Sequence, residues 1–192
     1  NEFDKIMEDK DFPMEYPRGQ LSIPDEYLFA ESYKDLHIMQ QPFFSFLFTA
    51  SSHAPYDEPK KVPQLTWDVD DLPYLNSVKY SDYELYQYIQ QCKTQPWYDS
   101  TLFVIVSDHS HATYMNHYVN SAEYMHVPML WMGGALDSAY VGKICSTICS
   151  QIDIYPTLAA QMGVSDCDAY RGKNIFNPYS KEFAYYETNM GF

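Results

Sequence analysis

The sequence is poor in basic residues and has no long apolar run. Only 12 Lys and Arg stand against 26 Asp and Glu, which gives a formal net charge of −14. This charge repels phosphates, so it argues against nucleic-acid binding and against unaided docking of the segment on anionic lipid. No apolar run approaches the roughly 18 residues of a membrane-spanning helix, and the chain opens with NEFDKIMEDKDF instead of a leader peptide. An anionic substrate would therefore need a bound cation that inverts the local field.

Cysteine is also scarce and irregularly spaced. Cys92, Cys145, Cys149 and Cys167 form no CxxC pair and no spacing typical of a zinc site. If residues 143–149 form a strand, Cys145 and Cys149 lie about 13 Å apart, which is too far for a disulfide. The cysteines therefore leave the redox compartment open.

The strongest local signal is TLFVIVSDHSH, residues 101–111. Residues 102–106 form an unbroken apolar run, typical of a strand buried on both faces of an α/β sheet. Asp108, His109 and His111 follow at its carboxyl end, where open α/β sheets bind their ligands. A carboxylate and two imidazoles delivered there together predict a metal site or an acid–base site. The alternative is that these polar residues merely cap the strand.

Apolar periodicity predicts alternating strands and helices. Helices are predicted at 26–36, 74–93 and 154–162, strands at 43–49, 102–106, 127–132, 143–149 and 183–187, and an irregular lead-in at 1–20. The succession of strand 43–49, helix 74–93 and strand 102–106 predicts a right-handed parallel crossover. His53 then follows the end of a second strand, and we expect its ring within roughly 10 Å of the His109 ring.

Two acidic residues carry structural predictions of their own. Asp82 lies on the apolar stripe of helix 74–93, so we expect it to be buried and hydrogen-bonded, because an unpaired buried carboxylate is costly. A helix twisted enough to expose Asp82 is the alternative. Asp153 is predicted to cap the last helix, which Gly163 ends.

Five segments, in order, resemble the sulfatase / alkaline-phosphatase superfamily. They are PFFSFLFTASSHAPY, YLNSVKYSDYELYQYIQQC, STLFVIVSDHSH, VPMLWMGG and SQIDIYPTLAAQMG. Within the superfamily the chain is most similar to the lipoteichoic-acid-synthase-like branch of extracytoplasmic phosphoglycerol transferases. The resemblance implies an α/β, alkaline-phosphatase-like fold with a mixed, mostly parallel sheet flanked by helices.

The resemblance also implies site residues. Asp108 and His109 match the family's Asp-His pair, which binds a divalent metal; Mn²⁺ suits these ligands best, with Zn²⁺ and Mg²⁺ as alternatives. His53 matches the histidine of the family's His-x-Pro-aromatic block, which contacts the substrate's phosphate group. His111 and His117 are further substrate-binding candidates. Ser110 replaces the glycine that usually follows the pair.

Such enzymes attack a phosphate or sulfate ester with a metal-activated Thr or Ser, or with formylglycine in sulfatases. In the family the nucleophile and a first acidic ligand lie far upstream of the Asp-His pair, and no such block precedes His53 here. No catalytic nucleophile is therefore assigned. We expect residues 1–192 to be the C-terminal portion of one sulfatase-like catalytic domain, inactive without its N-terminal half. The full-length protein is expected to be extracytoplasmic, in the cell envelope or periplasm, and membrane-anchored.

Two other functions stay open. A non-catalytic binding or scaffold module would retain the fold without the chemistry. A minimal hydrolase would use Ser107 or Ser110 as nucleophile, but neither serine lies in a Gly-x-Ser-x-Gly elbow or has a recognisable base beside it. The group moved (phosphoglycerol, phosphoethanolamine, phosphate or sulfate) is not encoded in any of these patterns.

Overall fold

The computed structural model describes residues 3–111, 118, 121–164 and 171–186. The chain forms two compact units, Asn1–Ser100 and Thr101–Phe192. The main elements of the described residues are α1 (Asp25–Ile38), α2 (Leu72–Cys92), β1 (Phe103–Val106), β2 (Met129–Met132) and α3 (Ile154–Gln161). Short 3₁₀ helices lie at Asp9–Asp11, Tyr98–Ser100, Ser138–Tyr140 and Gln151–Asp153. None of the described helices is long and apolar enough to pass through a lipid bilayer.

The first unit is built on the packing of α1 against α2. Pro24 precedes α1 and two acidic residues occupy its first turn, a combination that favours a helix start. The Phe29 ring of α1 stacks on the Tyr88 ring of α2 with centroids 4.9 Å apart. Ser32 Oγ lies 3.0 Å from Tyr88 Oη, so the buried hydroxyl is satisfied. The helices predicted at 26–36 and 74–93 are confirmed to within two residues at each end.

The prediction for Asp82 is wrong, because α2 buries only the C-terminal part of the predicted stripe, Ile89 and Cys92. Asp82 is exposed, whereas the residues that α2 buries are Asn76, Ser77, Tyr80, Tyr88, Ile89 and Cys92. Tyr80 is fully buried and Tyr88 nearly so. Large tyrosine rings bury much apolar area, and they outweigh the smaller aliphatic residues that defined the predicted stripe.

The second unit contains a two-stranded antiparallel sheet. β1 pairs with β2 in the register Phe103↔Met132 to Val106↔Met129. The strands predicted at 102–106 and 127–132 are confirmed, but β1 is only half-buried and Val106 is exposed. The expected parallel pairing is not found among the described residues, where the one strand pair is antiparallel. Helices and a sheet are nevertheless both present, as an α/β chain requires.

Gly133 ends β2 at a position that only glycine fits. Its φ is +118°, and a Cβ there would lie 2.2 Å from the carbonyl oxygen of Thr101. α3 follows later and ends before Gly163, whose φ of +72° is the left-handed conformation that terminates many helices. The helix predicted at 154–162 is therefore confirmed.

Three predicted strands do not form. Residues 43–49, 143–149 and 183–186 lie outside the helices and strands, and residue 187 lies outside the described residues. A strand needs a neighbour to pair its backbone groups, and these segments have none within the described chain. Phe44, Phe46 and Phe48 are 69%, 69% and 64% exposed. These three alternate phenylalanines, which we call the phenylalanine row, thus form an uncovered apolar surface.

Candidate metal centre and ester-binding site

Asp108 and His109 lie two and three residues beyond the end of β1. The backbone turns sharply there, because Ser107 Oγ donates to the carbonyl oxygen of His109 at 2.9 Å. The His109 amide donates to Asp108 Oδ1 at 2.8 Å. These two bonds therefore fix the backbone of the turn, and Asp108 Oδ2 takes part in neither of them.

The His109 ring is held by a bond of its own. Its Nδ1 lies 2.8 Å from the carbonyl oxygen of Ser110. A carbonyl only accepts, so Nδ1 carries the proton in this bond and Nε2 is left with a lone pair. Nε2 lies 3.6 Å from Asp108 Oδ2, and the two side chains are 71% and 55% exposed. The pair thus presents one oxygen and one nitrogen towards solvent.

This geometry fits a divalent ion. An oxygen and a nitrogen that each lie about 2.1 Å from one ion at a tetrahedral angle are about 3.4 Å apart. A histidine ligand that donates its other ring N–H to a backbone carbonyl is the usual outer arrangement of metal sites. Among the described residues, however, no third His, Cys, Asp or Glu joins the pair to make a larger cluster. Asp108 and His109 would therefore supply two ligands to such an ion.

Gln151 holds this turn from the side, and sequence analysis did not single it out. Its Nε2 donates to the carbonyl oxygens of Ser107 and Asp108, both at 2.7 Å. Gln151 lies in the 3₁₀ helix Gln151–Asp153, which precedes α3. A lone glutamine in a polar segment carries no pattern that marks it, since its partners are backbone atoms more than 40 residues away.

Asp153 anchors the same 3₁₀ helix and occupies the predicted N-cap position of α3. Its side chain makes no cap bond to α3. It accepts instead from the Lys173 amide at 2.8 Å, from Lys173 Nζ at 2.7 Å and from the Ser150 amide at 2.9 Å. Asp153 is fully buried and the Lys173 side chain is 9% exposed. A buried ion pair thus fixes the segment from which Gln151 reaches the turn at Ser107 and Asp108.

His53 occupies a turn in the first unit. Its amide donates to the Ala50 carbonyl at 3.0 Å, and its Nδ1 lies 2.8 Å from the Ala54 carbonyl. The ring is exposed, with Nδ1 as the donor and Nε2 facing outward from this bond. His53 therefore has the same ring arrangement as His109. The expected closeness of the two rings stays a prediction.

A shallow hollow adjoins His53. Its lining includes Gly19, Ser51, Asp57 and Glu58. Burial raises the pKa of the Glu58 carboxyl above its usual range, and the neighbouring Asp57 carboxylate raises it further. Two acidic side chains make this hollow unfavourable for an anion.

The remaining predicted substrate residues are His111 and His117. His111 is exposed, two residues beyond His109. His117 lies outside the described residues. Neither prediction is tested by the described geometry.

Comparison with known proteins assigns the family. The sulfatase family model matches residues 2–164, which is most of the chain. The chain therefore belongs to the sulfatase family. Members of this family act on phosphate or sulfate esters as transferases or hydrolases, and divalent metals are typical of the superfamily.

Individual relatives indicate which branch of the family the chain resembles. The chain is 29% identical over 94 residues to lipoteichoic acid synthase 1 of Bacillus subtilis (strain 168), covering 47% of this chain and 15% of that protein. It is 29% identical over 93 residues to lipoteichoic acid synthase of Staphylococcus aureus (strain USA300), covering 46% of this chain and 14% of that protein. The chain is thus similar to the lipoteichoic-acid-synthase-like branch, and it matches only a small part of these proteins' length.

A solved structure supports the fold. A protein of the alkaline phosphatase superfamily from Vibrio parahaemolyticus superposes with a TM-score of 0.76 at 29% identity. The match covers 93% of this chain and 43% of that one. The α/β, alkaline-phosphatase-like fold is therefore shown, and this chain spans less than half of that neighbour.

Proposed function

We propose that this chain carries the metal-binding and substrate-binding part of an enzyme that transfers or hydrolyses phosphate or sulfate esters. Phosphoglycerol-type transfer to a cell-envelope acceptor is the specific reaction we favour, and hydrolysis of a sulfuric ester is the nearest alternative. One observation carries the proposal: Asp108 Oδ2 and His109 Nε2 face each other at 3.6 Å, with the other ring nitrogen already bonded to Ser110.

Asp108 and His109 would hold the ion, with Mn²⁺ preferred over Zn²⁺ or Mg²⁺. The carboxylate suits Mn²⁺ or Mg²⁺ and the imidazole suits Zn²⁺ or Mn²⁺, so Mn²⁺ accepts both ligands. When bound, such an ion lowers the pKa of an attacking hydroxyl and offsets negative charge on the ester. The formal charge of −14 makes this positive centre necessary, because the chain otherwise repels an anionic substrate.

His53 would bind the anionic group of the ester. When both ring nitrogens carry a proton, the exposed ring donates from Nε2 to an ester oxygen. His111 and His117 are weaker candidates for the same task. Bound in this way, the ester oxygens are oriented before reaction, which is a large part of what an active site contributes.

The nucleophile and the remaining metal ligands would come from the rest of the catalytic domain. Two features support this part of the proposal: the match spans 43% of the solved neighbour, and the phenylalanine row is exposed at alternate positions of residues 43–49. An apolar surface of this kind normally packs against another element. We propose that the N-terminal half of the domain covers it, and that the complete protein acts outside the cytoplasm as a membrane-anchored enzyme.

The minimal-hydrolase alternative finds little support. Ser107 Oγ donates its proton to the His109 carbonyl, so no base is placed to remove it. Ser110 Oγ is buried without a hydrogen-bond partner in the described residues. A serine nucleophile needs an adjacent base that is itself oriented by a third group.

An activity assay tests the proposal. Residues 1–192 and the protein expressed from its complete reading frame are each incubated with an aryl phosphate, an aryl phosphodiester and an aryl sulfate, with Mn²⁺ or Zn²⁺. We expect no turnover by residues 1–192 and metal-dependent turnover by the complete protein, lost in Asp108→Ala. Turnover by residues 1–192 that Asp108→Ala abolishes would place the nucleophile in this chain, with Ser107, Ser110 and Thr49 to be tested first. A complete protein inactive on all three esters would favour the non-catalytic module.

A further inference from the structure

The turn that carries His53 is held by a buried carboxylate from another part of the first unit. Asp25, the first residue of α1, is 1% exposed. Its Oδ1 accepts from the amides of Ala50 and Ser51, both at 3.1 Å. Its own amide donates to Ser51 Oγ at 2.9 Å. Three hydrogen bonds therefore connect Asp25 to the two residues that begin the His53 turn.

The other carboxylate oxygen is also satisfied. Asp25 Oδ2 accepts from Ser81 Oγ of α2 at 2.7 Å. Both oxygens of the buried group thus have partners, as a buried carboxylate requires. An acidic residue in the first turn of a helix is usually explained by the helix dipole, but that effect needs neither burial nor bonds to a distant turn.

The bonds continue from Asp25 to the imidazole. Ala50 donates its amide to Asp25, and its carbonyl accepts from the His53 amide at 3.0 Å. The His53 ring is in turn held by the Ala54 carbonyl. Because one oxygen binds two successive amides, it fixes the orientation of both peptide planes before the turn. A change at Asp25 therefore alters where the His53 ring points.

We propose that Asp25 is the positioning residue of His53: its buried carboxylate fixes the 50–53 turn so that the imidazole is presented to an anionic ester. This inference rests on the proposed function, in which His53 binds the ester. A purely structural role, in which Asp25 only joins α1 to α2 through Ser81, makes a different prediction. In that case the stability of the chain changes, while the kinetic role of His53 does not.

A double-mutant cycle in the complete protein separates the two roles. With an aryl phosphodiester, His53→Ala and Asp25→Ala should each lower kcat/KM, by up to about 100-fold. The double variant should be no worse than His53→Ala alone, because a misplaced ring and a missing ring have the same consequence. Asp35→Ala is the matched control. It removes a carboxylate from the same helix, but this carboxylate binds Lys5 and not the 50–53 turn.

A conservative variant and a measurement without substrate guard against misfolding. Asp25→Asn keeps one acceptor oxygen for the two amides and offers a donor to the Ser81 hydroxyl, so it should retain most of kcat/KM. In Asp25→Ala, hydrogen exchange should accelerate at the amides of Ala50 and Ser51, while amides within α1 stay protected.

The outcomes are distinct. If His53→Ala lowers kcat/KM but Asp25→Ala does not, or if the two losses simply multiply, the positioning role is wrong and the proposed function stands. Unchanged protection at Ala50 and Ser51 in Asp25→Ala also overturns the positioning role. If neither His53→Ala nor Asp108→Ala changes turnover, the proposed function fails and the inference fails with it.

Discussion

Lys173 Nζ lies 2.7 Å from Asp153 Oδ2 in the second unit, and both side chains are withdrawn from solvent. The same ammonium group donates to the Phe183 carbonyl at 2.6 Å and lies 4.3 Å from the centre of the Phe183 ring. One lysine thus joins the segment before α3 to residues near the end of the described chain. Because Gln151 belongs to that segment, the ion pair also supports the turn that carries Asp108 and His109.

Removing the lysine charge should destabilise the chain strongly. Lys173→Met leaves Asp153 buried without its counter-ion, and breaking a buried pair in this way costs about 3–5 kcal/mol. The free energy of unfolding, measured by urea denaturation, tests the value. Lys5→Met is the matched control, since the Lys5–Asp35 pair has the same 2.7 Å separation but its side chains are 48% and 23% exposed, so its loss should be smaller. If both variants lost the same free energy of unfolding, burial would not be what makes the Lys173–Asp153 pair important.

Gln151→Ala should weaken metal binding with little effect on folding. Gln151 is exposed, so its removal leaves no cavity, but the carbonyls of Ser107 and Asp108 lose their shared donor. Loss of an outer partner of this kind typically costs about 10- to 100-fold in metal affinity. Mn²⁺ titration followed by broadening of the His109 ring resonances measures the change and suits a weak site.

Two variants calibrate that titration. Asp108→Ala should abolish the selective broadening of His109, and Gln91→Ala, which removes an exposed glutamine of α2, should leave it unchanged. If Gln151→Ala binds Mn²⁺ as tightly as the unmodified chain, the outer support of the turn is unimportant.

Glu84→Gln should stabilise the chain at neutral pH. Burial raises the pKa of the Glu84 carboxyl above its ordinary 4.5, and the carboxylates of Glu26 and Asp25 raise it further. The folded state therefore binds the proton more tightly than the unfolded state, so stability falls as the pH rises from 4.5 through the raised value. Glutamine carries no charge, so Glu84→Gln removes the cost of the buried carboxylate at a pH above the raised pKa. At a pH well below 4.5 the glutamate is protonated in both states, and the variant should then be no more stable than the unmodified chain.

Urea denaturation at about pH 7 and about pH 4 checks the sign. Asp82→Asn serves as control, because it neutralises an exposed carboxylate on the same helix and should change stability little at either pH. A Glu84→Gln variant that is less stable at pH 7 would show that the carboxylate makes a favourable interaction there.

Cys92 should resist alkylation while Cys145 reacts. Burial raises the pKa of the Cys92 thiol to about 11, and the side chain is fully inaccessible, whereas Cys145 is exposed. Only the thiolate is nucleophilic, so at about pH 8 iodoacetamide should modify Cys145 first and Cys92 only on unfolding. Mass spectrometry of timed samples, with and without urea, gives the order. Rapid labelling of Cys92 without urea would mean that the buried face of α2 opens readily.

Local sequence was sufficient to locate the helices and the two strands, though not how the strands pair. The apolar run of residues 102–106 and the breaks at Pro24 and Gly163 depend on interactions within a few residues, so they are visible in the chain itself. Asp108 and His109 could also be identified from the sequence as candidate ligands, because they follow the end of β1 by only two and three residues. The resemblance then supplied the family, which comparison confirms.

Tertiary structure decided what depends on distant partners. Residues 43–49 have the composition of a strand, but strand pairing needs a neighbour, and none lies within the described chain. α2 buries Tyr80 and Tyr88 together with only part of the predicted stripe, and Asp82 is exposed. Gln151 and Asp25 act through backbone atoms some 25 to 44 residues away, and such bonds leave no periodic pattern. Sequence alone therefore determined where the candidate metal-binding groups lie in the chain, and only the fold decided which residues hold them in place.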